Sequence, residues 1–187
     1  MIAEPRRLSE LQRQMVLGSI MGDGCLAPNV RDRSGARFRM GHGANQVTYL
    51  DWKVSLLANV PHSRTTNPEG AAFADFTPLA ELGELREAVY FGDGKKHLTW
   101  EFLKALTPFA LAIWYLDDGC FTVDSKGAQE RTRGGAGRID ICVEAMSGGS
   151  RERLVRFLRE DQGARTEFFN KVSAPIVTKM FDCGMIP

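Results

Sequence analysis

The sequence predicts an α+β protein built from two pseudo-symmetric copies of one unit, packed through a pair of apolar helices, with the second copy short. Three observations carry this. A helical string ending in x-Asp-Gly-Cys occurs twice, as Val16-Leu17-Gly18-Ser19-Ile20-Met21-Gly22-Asp23-Gly24-Cys25 and as Leu111-Ala112-Ile113-Trp114-Tyr115-Leu116-Asp117-Asp118-Gly119-Cys120, with the two carboxylates 95 residues apart. Each copy is followed by a segment that alternates polar and apolar residues, Arg37-Phe38-Arg39-Met40 and Arg138-Ile139-Asp140-Ile141-Cys142-Val143, the period-two mark of a half-buried strand. Each copy also carries an arginine-rich stretch of local charge +3 at a similar distance past its helix.

The elements follow in order. Ser9 is a good N-cap, and Gln12 three residues later completes a capping box, so the first helix starts there and stops near Gly22-Asp23-Gly24. Gln46 to Val60 carries Tyr49, Leu50, Val54, Leu56 and Leu57 and reads as a helix, whereas Asn59 to Gly70, with two prolines and little apolar content, reads as a loop. A strand is expected near Ala72 to Thr77, a helix over Leu79 to Tyr90, and a turn at Gly92-Asp93-Gly94-Lys95-Lys96. Thr107-Pro108 is an N-cap with proline in the first helical position, opening the second motif helix. A helix capped by Ser150 is expected to Glu160, and another near Phe168 to Val177.

Composition bounds the classes. The longest apolar run, Pro108 to Leu116, is far shorter than the roughly 20 residues a membrane helix needs. The N-terminus has no apolar signal-like stretch, so a cytoplasmic chain is expected. Cys25, Cys120, Cys142 and Cys183 match no zinc spacing and read as reduced thiols. A net charge of +1 excludes a uniformly basic coat but leaves room for a basic face. Trp52, Trp100 and Trp114 read as core, and His42 as either a surface or packed histidine or a neighbour of the site.

An Asp-Gly after a single helix is ordinarily a plain C-cap turn, but the duplication changes its meaning. Two apolar helices packed about a pseudo-two-fold axis, with Gly18 and Gly22 permitting close approach, would bring Asp23 and Asp118 side by side. Helix dipole and like charge both oppose ionisation of such a pair, and a divalent cation is the usual remedy. Oxygen ligands suit Mg²⁺ (or Mn²⁺), and paired carboxylates beside a phosphate are the parts of metal-assisted phosphodiester hydrolysis.

The pattern resembles the LAGLIDADG homing endonucleases in their two-motif, single-chain form. The segments His42-Gly43-Ala44-Asn45-Gln46-Val47-Thr48-Tyr49-Leu50-Asp51-Trp52-Lys53 and Gly94-Lys95-Lys96-His97-Leu98 are similar to that family too, and the string from Leu106 to Gly119 is the most specific match. The resemblance implies two αββαββα units, here residues 1–104 and 105–187, whose sheets form a saddle along double-stranded DNA with a long recognition site. It implies a monomer with internal pseudo-two-fold symmetry and no membrane. Asp23 and Asp118 would bind metal, with main-chain carbonyls of Gly22 and Asp117 as further ligands. Lys96, or its neighbour Lys95, would act near the scissile phosphate. DNA contacts would come from Arg31, Arg33, Arg37 and Arg39 and from Arg131, Arg133 and Arg138. Without the family, either arginine run reads as a solvated loop.

The second half departs from the pattern. It is short by about a hairpin, and Gly184 stands where the family often has a lysine, with Lys179 upstream. Cleavage that is weakened or confined to one strand is therefore an expectation, and an inactive DNA-binding descendant or an RNA maturase is the alternative. No intein splicing blocks are read, which favours a free-standing or an excised chain.

Overall fold

The computed structural model describes residues 7–30, 35–122 and 138–160. Helix α1 (Glu10–Met21) begins in the expected capping box, with Ser9 Oγ accepting from Gln12 N and Gln12 Oε1 accepting from Ser9 N. Strands β1 (Cys25–Pro28) and β2 (Ala36–His42), helix α2 (Val47–Leu56), strands β3 (His62–Thr66) and β4 (Ala72–Phe76) and helix α3 (Ala80–Val89) follow. The first half thus has the αββαββα order. Its strands form one antiparallel sheet in the order β1-β2-β4-β3.

Alternation sorts that sheet into two faces. Ala36, Phe38 and Met40 of β2 and Ala72, Ala74 and Phe76 of β4 are buried in the core with α1, while Arg37, Arg39, Phe73 and Asp75 point outward. The segment 59–70, expected as a loop, contains β3 instead. His62-Ser63-Arg64-Thr65-Thr66 is exposed at every position and pairs only with β4, so backbone hydrogen bonding at an edge defines it and no apolar alternation betrays it.

The short helix α4 (Trp100–Lys104), capped by Thr99, leads to α5 (Pro108–Asp118), capped by Thr107 with proline at its start as expected. Strands β5 (Gly119–Thr122) and β6 (Arg138–Ile141) pair antiparallel, and α6 (Gly148–Glu160) follows. The cap of α6 is Ser147 rather than Ser150: Ser147 O accepts from Arg151 N, and Ser147 Oγ from Ser150 N. Ser150 is buried inside the first turn, where its Oγ accepts from Leu98 N at 2.7 Å. The expected helix at 168–177 and the Lys179 and Gly184 positions lie outside the described residues.

Helices α1 and α5 pack directly against each other. A Cβ on Gly18 would overlap the Ala110 carbonyl and lie 2.8 Å from Ile113 Cβ; one on Gly22 would overlap Asp117 Cβ. The glycines of the first motif are therefore there for closeness. The turn after α1 does not use a left-handed glycine, since Gly22 has φ −104° and the positive-φ glycines are Gly35, Gly70, Gly92 and Gly94. At the opposite end, buried Gln14 ties the pair together by donating to Ala105 O and accepting from Thr107 N and Oγ1. Trp114 is buried, and Trp52 and Trp100 pack half-buried against the core. Among the described residues no helix is long and apolar enough to cross a membrane, and Cys25, Cys120 and Cys142 are exposed and in no disulfide.

Candidate active site

The C-terminal ends of α1 and α5 meet at one place, which sets Asp23, Asp117 and Asp118 together. Asp23 follows α1 and is exposed; Asp118, the last residue of α5, is half-buried. Burial, then the charges of Asp23 and Asp117, raise the Asp118 carboxyl from 3.8 to about 6, against the pull of Lys96 and Lys53. This is the expected signature of carboxylates crowded without a cation.

Lys96 is brought into the site and Lys95 is not. The backbone around Lys96 is stitched to the turn before α6, Lys96 N donating to Ala145 O and Lys96 O accepting from Ser147 N. That anchoring aims the buried side chain inward, where Nζ donates to Gly22 O at 2.6 Å and Gly24 O at 3.3 Å. Burial pushes the ammonium below its ordinary value, while Asp118, Cys25, Asp23 and Asp117 oppose the shift. Lys95 is exposed and reaches only Glu144 O.

Behind Asp23 lies a buried polar network in which Lys53 and Tyr49, given no role from sequence, join His42 and Asp117. Lys53, fully buried in α2, donates to both oxygens of Asp117 at 2.8 and 3.0 Å and contacts His42 Nε2 at 3.2 Å. Tyr49, one turn earlier, donates to Asp117 Oδ1 at 2.9 Å. Burial and the Asp117 charge hold the Tyr49 phenol well above its ordinary range. An ammonium has only donors, so His42 Nε2 accepts and Nδ1 carries the proton. That Nδ1 is buried, lies 3.2 Å from Asp23 Oδ2 out of line for a hydrogen bond, and has no other partner. Lysine at the i+4 position from Tyr49, on the buried face of α2 shared by Leu50, was the available signal. A charge at a core position requires a partner.

Asp23, His42 and Asp117 are grouped closely enough to reach one ion, and the expected partner Asp118 is not in that group. One atom each from Asp23, His42 and Asp117 lies within 4.8 Å of the others. Lys53 already neutralises the Asp117 side chain, so the uncompensated oxygens are those of Asp23 and Asp118. The Gly22 carbonyl, an expected ligand, faces Lys96.

Of the expected DNA-contacting residues, Arg37 and Arg39 lie on the outer face of the four-stranded sheet, beside a groove lined by Asp23, Arg39, Ser63, Thr65, Phe73 and Asp75. Arg138 opens β6. Arg31, Arg33, Arg131 and Arg133 lie outside the described residues.

The chain matches the LAGLIDADG DNA endonuclease family model over residues 13–168, and it belongs to that family. It is 67% identical over 163 residues to a protein named RecA from Mycolicibacterium chitae, a match covering 87% of this chain and 38% of the relative. It is 60% identical over 161 residues to RecA of Mycobacterium leprae (strain TN), covering 86% of this chain and 23% of that one. The chain therefore spans well under half the length of these curated relatives. It is also 26% identical over 169 residues to DNA endonuclease I-ChuI of Chlamydomonas applanata, covering 81% of this chain and 73% of the relative. Among solved structures, the homing endonuclease I-WcaI bound to its DNA recognition sequence shares the fold, with TM-score 0.62 and 16% identity over 83% of this chain and 69% of that one.

Proposed function

We propose that the chain is a sequence-specific, homing-type DNA endonuclease that hydrolyses phosphodiester bonds with a divalent metal ion, in two units dividing near residues 104 and 105. The observation that carries this is the close packing of α1 on α5, which brings Asp23 and Asp117 together with His42 at the ends of the two motif helices. Asp23 and Asp118 would hold Mg²⁺ or Mn²⁺, which supplies a Lewis acid to the phosphate and lowers the pKa of water.

The chain's own residues do the rest. Asp23 and Asp118 would orient the attacking water by accepting hydrogen bonds from it. His42 offers its buried Nδ1–H beside Asp23 Oδ2 and holds that carboxylate or its water in place. Lys96, held among carboxylates and the Gly22 carbonyl, is a cation positioned to meet charge that develops on phosphate oxygens. The outward face of the β1-β2-β4-β3 sheet, with Arg37 and Arg39, receives the duplex.

A family segment carried within longer proteins named RecA suits an endonuclease embedded in a host protein, and we read this chain as such a segment. Selection of cleaved sites from a random duplex library in Mg²⁺ tests the function. The wild-type chain should enrich one long site, and Asp118→Asn should abolish cleavage while sparing binding. Binding of a selected site by the wild-type chain with no cleavage in Mg²⁺ or Mn²⁺ would favour the non-catalytic alternative.

A further inference from the structure

We propose that Asp75 is a positioning residue for base recognition: it aims Arg39 at a guanine close to the bond that is cut. This rests on the reading that the outer sheet face receives DNA. In β4, Asp75 is in register with Arg39 of β2 on one side and Ser63 of β3 on the other. Arg39 in turn pairs with Cys25 of β1, two residues past Asp23, so a base that it reads lies near the catalytic centre.

The geometry is unequal for the two arginines. Asp75 Oδ2 accepts a hydrogen bond from Arg37 Nη1 at 3.0 Å and forms an ion pair with Arg39, whose Nε lies 3.2 Å away out of line for a hydrogen bond. With its Nε side toward the carboxylate, the Arg39 guanidinium turns both Nη groups away from Asp75, a fork that matches O6 and N7 of guanine. Arg37, with Nη1 engaged, keeps only its Nε–Nη2 edge free, and its side chain is the less exposed of the two, 34% against 51%. The Arg39 side chain is 51% exposed against 23% for Asp75, so the carboxylate sits beneath and the fork above. Asp75 Oδ1 is buried with no hydrogen-bond partner, which leaves Oδ2 as the working oxygen.

An acid on a phosphate-facing surface weakens binding to every duplex. Here it also tethers two arginines that would otherwise reach for phosphates. Only a contact that uses the free fork of Arg39, with its Nε side still toward Asp75, gains from this arrangement. Asp75 therefore raises the ratio of specific to non-specific affinity while lowering affinity as such.

The test is sequence selection by binding, without divalent metal, using the wild-type chain, Arg39→Ala, Asp75→Asn and Asp75→Ser, the last as a second variant should asparagine disturb folding. The wild type should select a guanine at one position near the cleavage centre, and Arg39→Ala should lose it. The Asp75 variants should lower preference for that guanine about tenfold. They should bind an unrelated duplex more tightly, with a salt dependence steeper by about one unit. Full guanine preference in folded Asp75 variants would overturn the proposal, as would equal weakening of specific and unrelated duplexes. If instead neither Arg37→Ala nor Arg39→Ala changes binding to any duplex, the sheet-face reading itself has failed.

Discussion

The ends of α1 and α5 carry nearly the same string in opposite electrostatic settings. Asp23 is exposed, and behind it stand His42, Lys53, Asp117 and Tyr49, all buried at the side chain and mutually compensated. Asp118 is half-buried among negative charges, opposed chiefly by Lys96. The difference begins at one position. The residue before the aspartate is Gly22 in one copy and Asp117 in the other, and the space that glycine leaves is where Asp117 lies. An internal repeat in sequence need not repeat the chemistry. Here one copy supplies the gap and the other the carboxylate that fills it.

Breaking the buried side of this comparison should have the largest effect. Lys53→Met leaves Asp117 buried and ionised without its ammonium, and loss of one partner of a buried pair costs about 3–5 kcal/mol. Chemical denaturation should show this as a fall in midpoint at constant slope. A Lys53→Met, Asp117→Leu double variant should recover most of the loss, because burying two apolar side chains is close to neutral where burying one charge is not. Equal losses in single and double variants would show that Lys53 stabilises by packing alone. In Asp117→Asn, which keeps the shape, cleavage should fall about 10- to 100-fold through misplacement of His42.

Gly22→Ala comes next. Its methyl would overlap Asp117 Cβ, so the helices must part, at a cost of about 1–3 kcal/mol. In an Asp117→Gly background, itself destabilised by the unpaired Lys53, the added loss from Gly22→Ala should be much smaller. An additive pair of losses, read by thermal or chemical melting, would mean that the two positions do not share this space.

How much of this was legible follows from what each feature depends on. The capping box at Ser9, the Thr107-Pro108 start and the alternation in β2 are local, so residue order alone reveals them. The pairing of α1 with α5 was legible because the repeat printed it twice. Edge strand β3 was not, since its partner is backbone. The Lys53–Asp117 pair joins residues 64 apart, and neither the spacing nor the charge of one names the other. Asp117 was expected to act through its carbonyl, and its side chain turned out to be the centre of the buried network. Lys95 and Lys96 are adjacent in sequence, and only the anchoring at 145–147 decides which one faces inward.

Removing Lys96 sharpens the Asp118 side. Lys96→Met takes away the cation that opposes carboxylate crowding, so without divalent metal the protein should melt a few degrees lower. The gain in melting temperature on adding Mg²⁺ should then exceed that of the wild type, since the bound ion would do more of the neutralising. An unchanged Mg²⁺ response would place Lys96 outside the electrostatics of the metal site.

The smallest effect is a pH dependence. Asp118 rises from 3.8 to about 6 on folding. Below about pH 4 the group is protonated in both states and carries no penalty. Between about 4 and 6 the unfolded chain loses this proton while the folded one keeps it, so stability falls as pH rises and levels off above about 6. Because Asp118 is partly exposed, solvent screening cuts the contribution to about 1 kcal/mol. Asp118→Asn lacks the term, so without divalent metal its stability relative to wild type should improve as pH rises through this window. Mg²⁺ should work in the other direction, because it binds the ionised carboxylate and favours the wild type at the upper end. Parallel stability curves for the two proteins, with and without Mg²⁺, would mean that Asp118 is solvated like an ordinary surface acid, and the contrast between the two helix ends would reduce to the buried network behind Asp23.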